Sequence, residues 1–365
     1  MTRISDLRIG QWLKALPFSL LTVLPANAQT ATSAYMPGVT AEGAVYFLPK
    51  TAVRITVQVE QSTYTPGDLC PYAERFLRMK NVSAEKAVSY RITSIREEAV
   101  AVADTAKGYA VEFNAKTSAT NVRLSDDGVL LAINAEPSRL PAARPFVPSP
   151  HAAAVNPRRF MSEEILAAGS TAKMAELTAQ EIYEIRESRN LLVRGQADNM
   201  PKDGEQLRLM LAQLEQQDQS LTSLFTGTVV KDTTEHAFTV VADADIRQQV
   251  LFRFSQKLGL LDKDDLAGAP YFITIEDLKT VPLPEPVDPK KKGKQASGVY
   301  VNVPGKLRAS VADMQQTLVT SEFPAGQFGN VELLSGALFN KRYTTHLWLH
   351  PLSGAVEKLD AEQPK

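Results

Sequence analysis

The chain has 365 residues, 40 of them basic and 41 acidic, for a formal net charge of −1. So even a balance offers no general electrostatic attraction to nucleic acid or anionic lipid, and those partner classes are set aside. Cys70 is the single cysteine, which excludes an intramolecular disulfide, and a chain of this length can bury enough apolar surface to do without one.

Arg3, Arg8 and Lys14 precede a mostly apolar stretch over residues 15–24, after which comes Pro25-Ala26-Asn27-Ala28. Basic, apolar, then small-x-small is the order of a secretory signal, so residues 1–28 read as a signal peptide cut after Ala28. About ten apolar residues are too few for a bilayer core that needs roughly twenty. The expectation is an exported protein with no transmembrane segment, in the periplasm or associated with the outer membrane.

Residues 40–136 read as a β-rich domain. Val53, Ile55, Val57 and Val59 alternate with Arg54, Thr56, Gln58 and Glu60, the pattern of a half-buried strand. Further strand-like runs lie at 89–95, 109–114, 122–124 and 129–133, with a short helix at 72–79. The last two runs flank Ser125-Asp126-Asp127-Gly128, where Asp-Gly suits the positive φ of a tight hairpin. Prolines 137, 141, 145, 148, 150 and 157 then break every period, and residues 137–160 read as a linker.

Over residues 161–227 the period changes to about 3.6. Thr178, Ile182, Ile185, Arg189 and Leu192 recur at steps of four and three, ending at Arg194-Gly195. Leu207, Met210, Leu214, Gln217, Leu221 and Leu224 form a second stripe that starts behind a capping-box-like Asp203 and Gln206. The short loop between them predicts an antiparallel helical hairpin about 30 Å long. It would set Ile182, Ile185 and Leu192 against Met210, Leu214 and Leu221.

The two-residue period returns over 228–360, a second β-rich domain with runs at 238–241, 250–254, 271–275, 299–303 and 307–311. Pro304-Gly305 reads as the turn joining the last two. Prolines 282, 284, 286 and 289 lead into Lys290-Lys291-Lys292-Gly293-Lys294, an exposed basic loop at 281–297. A last hairpin closes around Pro351-Leu352-Ser353-Gly354. It echoes the one at Gly128 and hints at a duplicated β module. The fold class is therefore α+β, mainly β: two antiparallel β modules separated by an antiparallel helical hairpin.

Five blocks carry a family resemblance: Val45-Tyr46-Phe47-Leu48-Pro49-Lys50-Thr51, Tyr64-Thr65-Pro66-Gly67, Ala179-Gln180-Glu181-Ile182-Tyr183 with Arg186-Glu187-Ser188-Arg189, Asp198-Asn199-Met200-Pro201-Lys202-Asp203-Gly204, and Leu224-Phe225-Thr226-Gly227. In order and spacing they resemble the exported Bacteroidota proteins grouped as domain of unknown function 4831. The resemblance spans nearly the whole chain after residue 28 and implies export but no activity.

Chemistry-bearing residues are sparse. His346, Trp348 and His350 alternate on one strand face, yet residues four apart on a strand lie about 13 Å apart, too far to share a metal. They read as a surface or interface strand, with Trp348 a candidate stacking platform for sugar or peptide. Asp262-Lys263-Asp264-Asp265 lacks the glycine and closing glutamate of a calcium loop and reads as a surface turn. Cys70 has no histidine nearby and reads as an inert thiol. Arg189 stands out because a guanidinium on an apolar stripe needs a carboxylate or a route to the helix edge. No motif calls for a cofactor or metal. The leading expectation is a non-enzymatic binding or assembly role with an envelope protein or glycan, at His346, Trp348, His350 or Arg189. The alternative is a carboxylate-dependent hydrolase of envelope or dietary polymers, which a cleft holding two carboxylates would favour.

Overall fold

The computed structural model describes residues 32–34, 43–112, 121–139, 145–148, 156–201, 203–282, 298–339 and 344–362. The signal-like segment 1–28 and its cleavage site lie outside them, as do residues 283–297 with the lysine run and much of 137–160. In chain order the elements are β1 (Thr32–Ala34), β2 (Gly43–Thr65), α1 (Ala73–Leu77), β3 (Ala87–Glu112), β4 (Val122–Leu124), β5 (Leu130–Ile133), α2 (Glu163–Leu166), α3 (Thr171–Arg194), α4 (Gly204–Thr226), β6 (Thr228–Val241), β7 (Ile246–Ser255), β8 (Gly259–Leu261), β9 (Ala269–Asp277), β10 (Gly298–Ala312), β11 (Thr317–Ser335), β12 (Thr344–Leu349) and β13 (Val356–Glu362).

The class is α+β and mainly β, and among the described residues the strands form three antiparallel sheets. Their orders are β1-β3-β2-β6, β11-β10-β9-β7-β8 and β13-β12-β5-β4. Strands from either side of the proline-rich segment pair with each other: β6 lies along β2, and β12 lies along β5. A hairpin satisfies one edge of each of its strands. The other edge must find hydrogen-bond partners elsewhere in the chain or in solvent.

Two cores hold the sheets. Val53, Ile55, Val57 and Val59 of β2 are buried against Phe252 of β7, Ile273 and Ile275 of β9, and Leu307, Ala309 and Val311 of β10, which joins the first sheet to the second. Each fully buried large aliphatic or aromatic side chain contributes on the order of 1.5–3 kcal/mol. Tyr46 and Leu48, earlier on β2, enter another core with Leu130 and Ile133 of β5, Val299 and Val301 of β10, and Leu347 and Leu349 of β12. Thus β2 and β10 each run through both cores.

That parallel between β2 and β10 extends to a repeat. Tyr46 and Tyr300 stand 254 residues apart and are bonded to each other: the Tyr46 hydroxyl accepts from the Tyr300 N–H at 2.9 Å and donates to its carbonyl at 3.2 Å. Arg54 of β2 pairs with Glu98 of β3, and at the same offset Arg308 of β10 pairs with Glu322 of β11. The Phe47 N–H donates to the Gly128 carbonyl, and the Asn302 N–H donates to that of Gly354. These glycines sit in the two short hairpin turns at φ +77° and +69°, a region that disfavours a side chain. Each half is therefore a long hairpin followed by a short one, and the two short hairpins lie side by side in the third sheet.

Several local expectations need correction. Pro304-Gly305 is not a turn: β10 runs through it with a register shift between Val303 and Gly305. A bulge tolerates the missing proline N–H, and a Cβ on Gly305 would lie 2.2 Å from the Phe328 carbonyl oxygen. The runs at 89–95 and 109–114 belong to one strand, β3, up to Glu112. Strand β11 escapes a reading by alternation because Pro324, Gly326 and Gly329 interrupt its pattern.

The helical hairpin forms as the two stripes predict. The Asp203 carboxylate caps α4 by accepting from the Gln206 N–H, and Gly195 ends α3 at φ +70°. Ala175, Ala179, Ile182 and Ile185 pack on Leu221, Leu224 and Phe225, while Leu69, Ala73 and Leu77 close the cluster. Toward the connecting loop the seam weakens: Leu214 packs at its margin, and Met210 is exposed instead of packed. The closing side chains from the α1 region stand at the other end of the hairpin, so this end has two helices to bury its stripe where the base has three elements.

Candidate functional site: the outer face and open edge of the first sheet

The residues that alternate with the buried valines of β2 build a polar face. Arg54, Thr56, Gln58 and Glu60 point away from the core beside Arg91, Arg96 and Glu98 of β3 and Lys231 and Glu235 of β6. A groove of about 580 Å³ is bordered by Arg54, Thr56, Arg96, Glu97, Glu98, Glu235, Ala237 and Thr239. Its charges are paired: Arg54 with Glu98 and Arg96 with Glu235, each at 3.3 Å. The Gln58 amide adds a bond to Glu235 at 3.1 Å. One step along, Glu60 takes Arg91 at 3.0 Å and Lys231 at 3.4 Å. Those cations, Arg91 first, hold the Glu60 carboxyl below the usual glutamate range.

Among the described carboxylates, Glu97 has the strongly shifted titration. It precedes Glu98 on the strand and so faces the opposite side, toward the core, in register with buried Ile55. Its two oxygens are shut from solvent without a bond of hydrogen-bonding geometry. Burial pushes it from 4.5 to about 7, opposed by the nearby Ser321 hydroxyl. At the offset that relates Glu98 to Glu322, Ser321 is the repeat counterpart of Glu97.

The second feature of this region is the edge of β6. Among the described residues the three sheets end on six strands, and β3 also lacks a strand partner on one side over 87–108, where β1 does not reach and two register shifts interrupt it. Strands β1, β4 and β8 have three residues each, β13 carries Glu357, Lys358, Asp360 and Glu362, and β11 carries Pro324 and a register shift. By contrast β6 pairs with β2 over 14 residues with no shift and no proline. Among the described residues no strand pairs with its other side. Val229 and Val230 on this edge are 58 % and 47 % exposed.

The residues singled out by sequence lie elsewhere. His346 and Trp348 share the solvent-facing side of β12, their rings 6.0 Å apart and stacked, with the Lys358 ammonium 4.8 Å above the indole. The His346 Nδ1 bonds the Asn134 carbonyl, and the His350 Nδ1 accepts from the Ser353 N–H at 3.3 Å in its own hairpin turn. The structure thus brings His346 and Trp348 together and turns His350 aside. Arg189 reaches Glu215 across the helical hairpin at its exposed margin. One turn earlier, Arg186 makes a bidentate pair with buried Asp218 and also donates to Thr222. Asp262 and Asp265 bond backbone N–H groups of their own turn. Among the described residues no His, Cys, Asp and Glu side chains group as a metal site, and no helix is long and apolar enough to cross a membrane.

Lys231, Thr233 and Glu235 lie outside 238–241, the part of this strand that alternation marks. Both faces of Thr228–Val241 are polar over much of its length, so alternation is lost. The surviving signal is β-branched content, with Thr and Val recurring through the run. The family model described as domain of unknown function (DUF4831) matches residues 42–357. Comparison with curated proteins and comparison with solved structures found no match.

Proposed function

We propose, for a chain that belongs to the DUF4831 family, an exported cell-envelope protein whose role is binding or assembly rather than catalysis, exercised by strand addition at β6. The observation that carries this reading is the unbroken edge of β6. A row of main-chain donors and acceptors supplies affinity for an extended polypeptide, and side chains beside it supply selectivity. Here those side chains are the paired charges of the adjoining groove. Export is supported by the basic, apolar and small-x-small order of residues 1–28.

The hydrolase alternative has weaker support. Polymer hydrolysis of that kind needs a carboxylic acid and a carboxylate reaching one bond from about 5–10 Å apart. Glu97 borders the groove and has the raised titration, but both its carboxylate oxygens are shut from solvent, while Glu98 and Glu235 face the groove already ion-paired.

The test is proline substitution at Thr233 and, separately, at Thr234. Successive residues of an edge strand point their N–H groups to opposite sides, so one of the two variants removes an outward donor without touching the ladder to β2. That variant should melt like the wild type yet lose the polypeptides crosslinked to the wild-type chain in envelope fractions. Unchanged crosslinking by both variants contradicts strand addition.

A further inference from the structure

Resting on the strand-addition reading, we infer that β6 receives β6 of a second copy, antiparallel about a two-fold axis at Thr233. β9 lies along β10 as β6 lies along β2, and the outer edge of β9 is taken by β7. One half of the molecule thus extends its sheet at the edge that the other half leaves open.

Charge fixes the register. Lys231 and Glu235 flank Thr233 on the outer face, two residues to either side. Antiparallel pairing centred on Thr233 sets Lys231 opposite the partner's Glu235 and Glu235 opposite the partner's Lys231. Centring on Lys231 or Glu235 would set like charges face to face, which is destabilising. The Thr233 register also joins ion pairs already present. Arg96, Glu235, the partner's Lys231, the partner's Glu60 and the partner's Arg91 form one chain of alternating sign across the seam. Exposed Val229 falls opposite the partner's Ala237, which covers apolar surface at each end of the paired segment.

The register is testable by charge reversal and by a disulfide trap. Sedimentation velocity of the full chain over a range of concentrations should show a monomer–dimer equilibrium. Lys231→Glu sets like charges opposite each other twice and should weaken it by about tenfold. The double variant Lys231→Glu, Glu235→Lys should restore it. In a Cys70→Ser background, Thr233→Cys should form a disulfide-linked dimer, because opposed residues of antiparallel strands place their Cα atoms about 4.5–5.5 Å apart. Thr239→Cys should not, since its two copies lie about 40 Å apart in this register. A chain that stays monomeric at every concentration with no Thr233→Cys crosslink overturns the inference, as does a dimer indifferent to Lys231→Glu. If the chain is monomeric while a proline variant still loses its crosslinked polypeptides, strand addition stands and the second copy does not.

Discussion

The two halves of the molecule build the same hairpin and finish it differently. In the second half β10 is covered by β9 and β9 by β7, and β9 buries Ile273 and Ile275 in the shared core. In the first half β2 is covered by β6, and there the sheet stops with most of β6 exposed. Equivalent strands therefore have unequal neighbours. The lesson is that the topology does not require the open edge: the same arrangement is extended elsewhere in the chain. A polar strand at that edge keeps its solubility while leaving its main chain available.

The largest effect is expected on removing the side chain through which the covering strand reaches the core. Phe252 of β7 is fully buried and stacks between Phe238 of β6 at 5.3 Å and Tyr271 of β9 at 4.7 Å. Phe252→Ala should cost about 3–5 kcal/mol in denaturant unfolding. A cost below about 1 kcal/mol would mean that the two sheets do not depend on this contact. A smaller effect is expected where the repeats meet. Tyr46→Phe leaves the Tyr300 N–H and carbonyl without their hydroxyl partner, and should cost about 1–3 kcal/mol. No measurable loss would show that water replaces the hydroxyl there.

The smallest effect concerns the asymmetry between Glu97 and Ser321. With its folded value raised to about 7, Glu97 is protonated in the folded chain at pH values where the unfolded chain has released the proton. Its contribution is therefore fully present below about 4.5 and declines as pH rises to about 7. Wild type should lose melting temperature relative to Glu97→Gln between pH 5 and pH 8. Parallel curves for the two would contradict a buried, neutral Glu97.

Much of the local structure was legible because local forces decide it. The alternation of residues 53–60, the caps at Asp203 and Gly195, and the turn glycines 128 and 354 all appear where their chemistry requires them. What could not be read is long-range or two-sided. Nothing near Ile133 announces that it pairs with Leu347, and no period survives where Pro304-Gly305 is absorbed as a bulge. The same limit applied to the site. His346, Trp348 and His350 attracted notice by residue type, whereas Lys231, Thr233 and Glu235 are unremarkable until β6 is known to be an edge. Arg189 drew attention for lying on a stripe, but Arg186 found the buried carboxylate.

If β6 takes a second copy of itself as β9 takes β7, amide hydrogen exchange will report it, because it compares the two strands within one sample. At high protein concentration the alternate amides of β6 that point away from β2 should approach the protection of β9, and on dilution they should lose it while β9 keeps its own. Outward β6 amides that exchange equally fast at every concentration would contradict it.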